Sequence, residues 1–175
     1  VLRDISFGGK GPDYVNSIDR LRRAFALPDG RWLLAGDSAS PPSGNRSARK
    51  FGGADLWCIT PDSAGTRVSD AAFGGTDDDL LADAIQIDDG GILLLGESRS
   101  GRDEHKDAIL RGESDLWLVN VDSAGKKVWD ASFGGRGVER AAAIIARPAG
   151  GGFALAGTAD STDPQSRARQ FGQLD

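Results

Sequence analysis

One five-residue phrase returns three times in this chain, and it constrains the fold more than any other feature. Ile5-Ser6-Phe7-Gly8-Gly9 recurs as Ala71-Ala72-Phe73-Gly74-Gly75 and again as Ala131-Ser132-Phe133-Gly134-Gly135. The phenylalanines are 66 and then 60 residues apart. Leu33-Leu34-Ala35-Gly36 returns as Leu93-Leu94-Leu95-Gly96 and as Ala154-Leu155-Ala156-Gly157, with the glycines 60 and 61 apart. Asp55-Leu56-Trp57 and Asp62-Ser63-Ala64-Gly65 each return 60 residues later, as Asp115-Leu116-Trp117 and Asp122-Ser123-Ala124-Gly125. Separate landmarks that keep one register mark a repeat architecture. The first unit carries six extra residues between Phe7 and its Asp29-Gly30 turn.

Each unit reads as four short strands. In the second, residues 82–87 (ADAIQI) place apolar side chains at alternate positions, the pattern of a half-buried strand. Asp88-Asp89-Gly90-Gly91 is a hairpin turn signal. Residues 92–95 form a continuous apolar run, expected where a strand is covered on both faces. A long charged loop, 98–113, leads to the strands 115–121 (DLWLVNV) and 127–133 (KVWDASF). Gly125 closes the turn between them. Residues 19–27 (DRLRRAFAL) read locally as a short helix, but the repeat register makes them the inner strand of the first unit. An all-β chain of four-stranded antiparallel units at this period has the signature of a β-propeller, about three blades in a partial ring. A β-solenoid is the competing architecture, but its coils repeat at roughly 20–30 residues. The expected organisation is a single partial domain over 1–175. Residues 1–7 are an outer strand, 8–73 and 74–133 two blades, and 134–175 an incomplete third.

Composition narrows the chemistry. One cysteine in 175 residues excludes an internal disulfide framework and a cysteine-based zinc site. The one histidine, His105, would carry any imidazole chemistry alone. A net charge of −5 argues against nonspecific nucleic-acid binding. No apolar run reaches the ~18–20 residues of a membrane-spanning helix. No cofactor or metal is implied.

The phrases Leu27-Pro28-Asp29-Gly30-Arg31-Trp32-Leu33-Leu34-Ala35-Gly36 and Ser132-Phe133-Gly134-Gly135 resemble the bacterial sixty-residue propeller repeats known as delta-sixty repeats. Trp129 with Phe133-Gly134-Gly135, Asp89-Gly90-Gly91 and Asp115-Leu116-Trp117-Leu118 are similar to the related bacterial surface repeats. The resemblance covers nearly the whole chain. It implies a propeller and an extracellular or periplasmic setting. It does not imply an activity, because fold alone does not carry one. The third unit departs from the pattern, with Ala149-Gly150-Gly151-Gly152 where Asp-Gly is expected.

The ends of the chain shape a further expectation. The absence of methionine points to a trimmed or processed product. Residues 1–7 align with 127–133, and 171–175 align with 51–55, so the third unit stops short of its third strand. The chain is expected to be about half of a larger propeller, or to take the missing strand and blades from another chain, as in a homodimer, where two copies would give about six blades.

In a propeller, the loops from the fourth strand to the next first strand share a rim with those from the second strand to the third. Here the first type is acidic at Asp77, Asp78 and Asp79, and the second is long and basic. It carries Arg46, Arg49 and Lys50, then Arg99, Arg102, His105, Lys106 and Arg111, then Arg167 and Arg169. Such loops gather binding residues; they are also what a soluble β-rich surface needs. Three consecutive aspartates do not converge on a calcium ion and lack the D-x-D-x-D-G spacing. Asp62-Ser63-Ala64-Gly65 and its copy read as structural turns. Gly8-Gly9-Lys10-Gly11 lacks the phosphate-loop pattern. Trp57, Trp117 and Trp129 are expected in interblade packing and Trp32 in the core. Cys58 is expected as a small buried apolar residue opposite Trp57, and His105 as a solvated loop residue.

No catalytic constellation emerges. The leading expectation is a noncatalytic binding or scaffold module that recognises a protein or glycan through its rim loops. The alternatives are a fragment of a propeller enzyme of lyase or glycosidase type, or the recognition arm of a multidomain protein. An enzyme would concentrate unusual polar residues on one inner strand, and Arg20, Arg22 and Arg23 are the strongest such deviation.

Overall fold

A computed structural model describes residues 7–8, 19–27, 29–62, 64–87, 90–147 and 152–160. The described residues contain ten strands and no helix. The first four are β1 (Asp19–Ala26), β2 (Trp32–Ser38), β3 (Asp55–Pro61) and β4 (Arg67–Phe73). They are followed by β5 (Asp79–Gln86), β6 (Ile92–Ser98), β7 (Asp115–Val121) and β8 (Lys127–Phe133), then β9 (Glu139–Ala146) and β10 (Phe153–Ala159). β1-β2-β3-β4 and β5-β6-β7-β8 are two four-stranded antiparallel sheets in sequence order, and β9 and β10 pair as a third. The two four-stranded sheets are blade-like meanders, and the three sheets stack in chain order. Residues 19–26 are strand, so the repeat register outweighs the local helical reading there.

Period-two alternation sends each strand's apolar residues to two faces, and for the second sheet neighbouring sheets bury both. Leu33, Ala35, Leu56, Cys58 and Phe73 of the first sheet meet Leu81, Ile92, Leu94, Trp117 and Val119 of the second in one cluster. On the second sheet's other face, Leu93, Leu95 and Leu118 pack against Ile144, Phe153 and Leu155 of the third. Residues 92–95 are all buried, as expected for a strand covered on both sides. Cys58 lies with the inter-sheet cluster, and burial pushes its thiol up to about 12, which makes it inert. Trp57 points to the opposite face, packed with Ala48, Ile59 and Leu34. Trp117 stands between sheets, and Trp129 is partly buried against the cluster facing the third sheet. Trp32 is a correction: it is 51% exposed at the start of β2, because that strand's core-facing run begins at Leu33.

The inner strands share one irregularity. The β1–β2 register shifts between Leu21 and Arg23, and the β5–β6 register between Leu81 and Asp83. The β9–β10 register shifts between Ala156 and Gly157. Such a bulge bends the inner strand and sharpens its twist. Opposite it stands Gly36, Gly96 or Gly157, and a methyl group there would run into the carbonyl oxygen of Arg20, Leu80 or Arg140 respectively. The glycine that ends each of these repeated phrases is therefore required by the approach of two backbones.

Candidate functional site

The loops that leave β2 and β6 and those that enter β5 and β9 are joined by a repeated set of backbone hydrogen bonds. Gly53 N–H donates to Asp77 O (3.1 Å), Asp79 N–H to Ala54 O (2.6 Å) and Arg99 N–H to Asp78 O (3.0 Å). At the next junction Glu113 N–H donates to Gly137 O (2.9 Å), Glu139 N–H to Ser114 O (3.0 Å) and Asp160 N–H to Val138 O (2.9 Å). Loops from adjacent sheets thus form one continuous rim.

Beneath the rim each of the two described long loops is fastened inward by a basic side chain. Lys106 is fully buried, and its ammonium donates to Ser100 O (2.9 Å) and Ala108 O (3.1 Å). Its nitrogen also sits 5.4 Å from the centre of the Trp117 ring. Asp130 completes the arrangement, accepting from the Trp117 indole (2.8 Å), Ala108 N–H (3.0 Å) and the Lys127 ammonium (3.1 Å). Sixty residues earlier Arg46 donates to Ser40 O and lies 5.6 Å from the Trp57 ring. Asp70 accepts there from the Trp57 indole (3.1 Å), Ala48 N–H (2.8 Å) and Arg67 (2.8 Å). Burial alone would raise the Asp70 and Asp130 carboxyls. The hydrogen bonds from Ser47, Ala48 and Trp57, and from Trp117, Ala108 and Lys127, outweigh it and hold both below the ordinary value.

The sheet junctions hold acidic pairs of the opposite character. Asp55 and Asp79 are both fully buried and flank Gly74. Asp55 accepts from Phe51 N–H (3.0 Å), and Asp79 from Gly75 N–H (2.8 Å) and the Ser100 hydroxyl (2.7 Å). Asp115 and Glu139 flank Gly134 in the same way, accepting from Arg111 N–H (3.0 Å) and Gly135 N–H (3.0 Å). Each of these four side chains keeps one buried oxygen without a partner. Burial, reinforced by the Asp79 charge and opposed by the Phe51 N–H and Arg46, pushes Asp55 up to about 7. Burial also raises Asp79, Asp115 and Glu139.

The residues expected at the rim differ in exposure. Asp77, Asp78, Arg49, Arg99, Arg102 and Arg111 are exposed, although Asp78 Oδ1 also accepts from Ala54 N–H (2.9 Å) and Arg111 also donates to Ser132 O (2.6 Å). Arg46 and Asp79 are buried. His105 is half-buried: its ring lies 4.5 Å from that of Phe51, across the junction, and Nε2 is 2.9 Å from Glu104. It is thus wedged between two loops rather than freely solvated. Lys50 donates to Ala39 O (2.8 Å). Arg167 and Arg169 lie outside the described residues, as do residues 1–6 and most of the Ala149–Gly152 stretch. The aspartates 77–79 do not gather into a metal site, and among the described residues no cluster of three or more potential ligands does. Asp62 caps its own turn, accepting from Ala64 and Thr66 N–H (2.8 Å each) with Gly65 at φ 82°, and Asp122 repeats this with Gly125 at φ 84°. The repeated turns are structural.

Two arginines of β1, Arg22 and Arg23, make inter-strand ties. Arg23 Nε meets Asp83 of β5 at 2.6 Å, and Asp83 in turn accepts from Ile144 N–H of β9 (3.1 Å). Arg22 lies 3.6 Å from Asp37 of β2. Asp83 therefore links three inner strands. A groove of about 370 Å³ opens between the first sheet and the β7–β8 turn, lined by Cys58, Thr60, Asp70, Phe73, Gly125 and Lys127. None of the exposed rim charges lines it. Among the described residues, no helix is long and apolar enough to cross a membrane.

Sequence reasoning missed the inward role of Arg46 and Lys106 and both acidic pairs. The signal was present: Arg46 and Lys106, Asp70 and Asp130, Asp55 and Asp115, and Asp79 and Glu139 are all 60 residues apart, each keeping its charge type. No protein-family model matches this chain, and no curated protein matches it.

Proposed function

We propose that the chain is part of a β-propeller that works as a noncatalytic binding or scaffold module, recognising a protein or a glycan through its rim. One observation carries the reading. The exposed charges Asp77, Arg99 and Arg102 stand on loops cross-linked by backbone hydrogen bonds and anchored from below by Lys106. A rigid, charged, repeated edge presents polar groups without the entropy cost of ordering free loops on binding. Repeated geometry also suits a partner met at several points at once. The extracellular or periplasmic setting implied by the repeat resemblance belongs to the same proposal.

The test is a glycan array and a protein pull-down with the chain, each repeated with Asp77→Ala, Arg99→Ala and Arg102→Ala combined. A ligand retained by the native chain and lost by the triple variant, with unchanged melting, supports the rim. A ligand held equally by both overturns it. Turnover of a glycan that disappears on replacing a rim carboxylate would move the protein to the enzymes.

A further inference from the structure

At both described sheet junctions this fold buries two carboxyl groups beside each other. Asp55, Asp79 and Asp115 expose none of their surface and Glu139 exposes 3%. The point where a methyl would stand on Gly74 is closer than 3.0 Å to both Asp55 Oδ1 and Asp79 Oδ2, so those oxygens are at most twice that distance apart. The same holds at Gly134 for Asp115 Oδ1 and Glu139 Oε2. Two ionised carboxylates that close and that dry repel strongly, and such a pair retains a proton well above the usual carboxylate range.

The surrounding charges do not cancel the repulsion. Around the first pair, Arg46 of the β2–β3 loop acts on Asp55 and Lys106 of the β6–β7 loop on Asp79. Around the second, Lys106 and Arg111 act on Asp115, with Arg111 at 3.9 Å, while Asp160 after β10 adds a negative charge against Glu139. The basic side chains are themselves committed: Arg46 to Ser40 O, Lys106 to Ser100 O and Ala108 O, and Arg111 to Ser132 O. Among the described residues, no guanidinium or ammonium hydrogen-bonds directly to the four carboxyls. Each pair also keeps two buried oxygens unpartnered, one on each member. A proton on a carboxyl would turn one such oxygen into a donor.

We propose that each sheet junction is a proton-held latch, in which Asp55 with Asp79, and Asp115 with Glu139, carry one proton per pair, and that loss of the proton loosens the rim loops the pair anchors. The anchors are specific. Asp79 holds Gly75 and Ser100, Asp55 holds Phe51, Glu139 holds Gly135 and Asp115 holds Arg111. Ionising both members pushes apart the loops that these bonds draw together. The latch acts on the rim whether or not the rim binds a ligand.

The sign of the pH effect is fixed. A carboxyl raised in the folded state contributes stability that is full below its unfolded value and is lost as pH rises through the folded one. For Asp55 that window runs from about 4, the ordinary value, to about 7. The melting temperature of the chain is therefore expected to fall by several degrees between about pH 5 and about pH 8.5. In Asp55→Asn combined with Asp115→Asn that fall is expected to disappear. A flat or rising profile in the native chain, or the same fall in the double variant, overturns the proposal.

Infrared titration of the native chain gives a reading that needs no variant. A protonated-carboxyl band present at about pH 6 and lost by about pH 8.5 supports the latch, and its absence at pH 6 overturns it. Melting at the higher pH with and without calcium chloride separates proton from cation. A calcium-dependent recovery of the melting temperature would assign the pairs to a metal and overturn the proton-held latch.

Discussion

Lys106 keeps its ammonium 5.4 Å from the centre of the Trp117 ring with none of its surface in water. A lysine is buried only when its charge is answered, and here two carbonyls, an indole face and the charges of nearby aspartates, Asp79 and Asp130 foremost, answer it. Lys106→Ala leaves both carbonyls unsatisfied and opens a void. It is expected to cost about 2–4 kcal/mol in urea unfolding. Lys106→Arg, which the first unit uses in the equivalent place as Arg46, is expected to recover most of that loss. Equal costs for the two substitutions would show that the site responds to volume rather than charge.

Asp130 and Asp70 contribute to the acid limit. Their carboxyls are held below the ordinary value, so the stability they supply is present above about pH 4 and lost as pH falls through the depressed folded values. Asp130→Asn is expected to lose stability at neutral pH and to flatten the acid limb of a melting-temperature profile. An unchanged acid limb would place the acid-labile group elsewhere.

The glycines rank themselves by the room beside them. A methyl at Gly36 would overlap the Arg20 carbonyl, whereas at Gly96 it would stand 2.8 Å from that of Leu80. Gly36→Ala is expected to be the more damaging, by about 2–4 kcal/mol, with Gly96→Ala about half that. Gly101→Ala, with nothing within 4 Å, is expected to be neutral. Chemical denaturation of the three variants checks the order.

Asp83 predicts an asymmetry. Its carboxylate serves Arg23 at 2.6 Å and Ile144 N–H at 3.1 Å, but the arginine side chain is 53% exposed. Arg23→Ala removes a largely solvated partner and is expected to cost less than about 1 kcal/mol. Asp83→Ala strands a buried N–H and is expected to cost about 1–3 kcal/mol. Equal losses would mean that the ion pair, not the backbone tie, joins these strands.

The strands were legible because repetition supplied several views of each one. β7 and β8 begin and end where period-two alternation and the Asp-Ser-Ala-Gly turn place them. The helical reading of 19–27 failed in favour of register, since a strand's pairing partners lie outside any local window. Trp32 was misplaced because an aromatic at a strand's first residue looks the same in sequence whether the pleat turns it in or out. The inward turn of Arg46 and Lys106 was hidden for a different reason. A basic residue in a charged loop carries no mark of its direction, and the bonds that draw it inward end on backbone carbonyls, which every residue has. The acidic pairs join residues 24 apart on different sheets, and only the stacking of those sheets brings them together.

The bonds that join adjacent loops have a consequence for how such a chain can change length. Gly53 to Asp77 and Glu113 to Gly137 are the same joint made twice, and so are Asp79 to Ala54 and Glu139 to Ser114. Coding sequence for one sixty-residue unit, copied or removed in register, would meet matching partners at both of its boundaries. Unequal recombination could then lengthen or shorten the array without any compensating substitution.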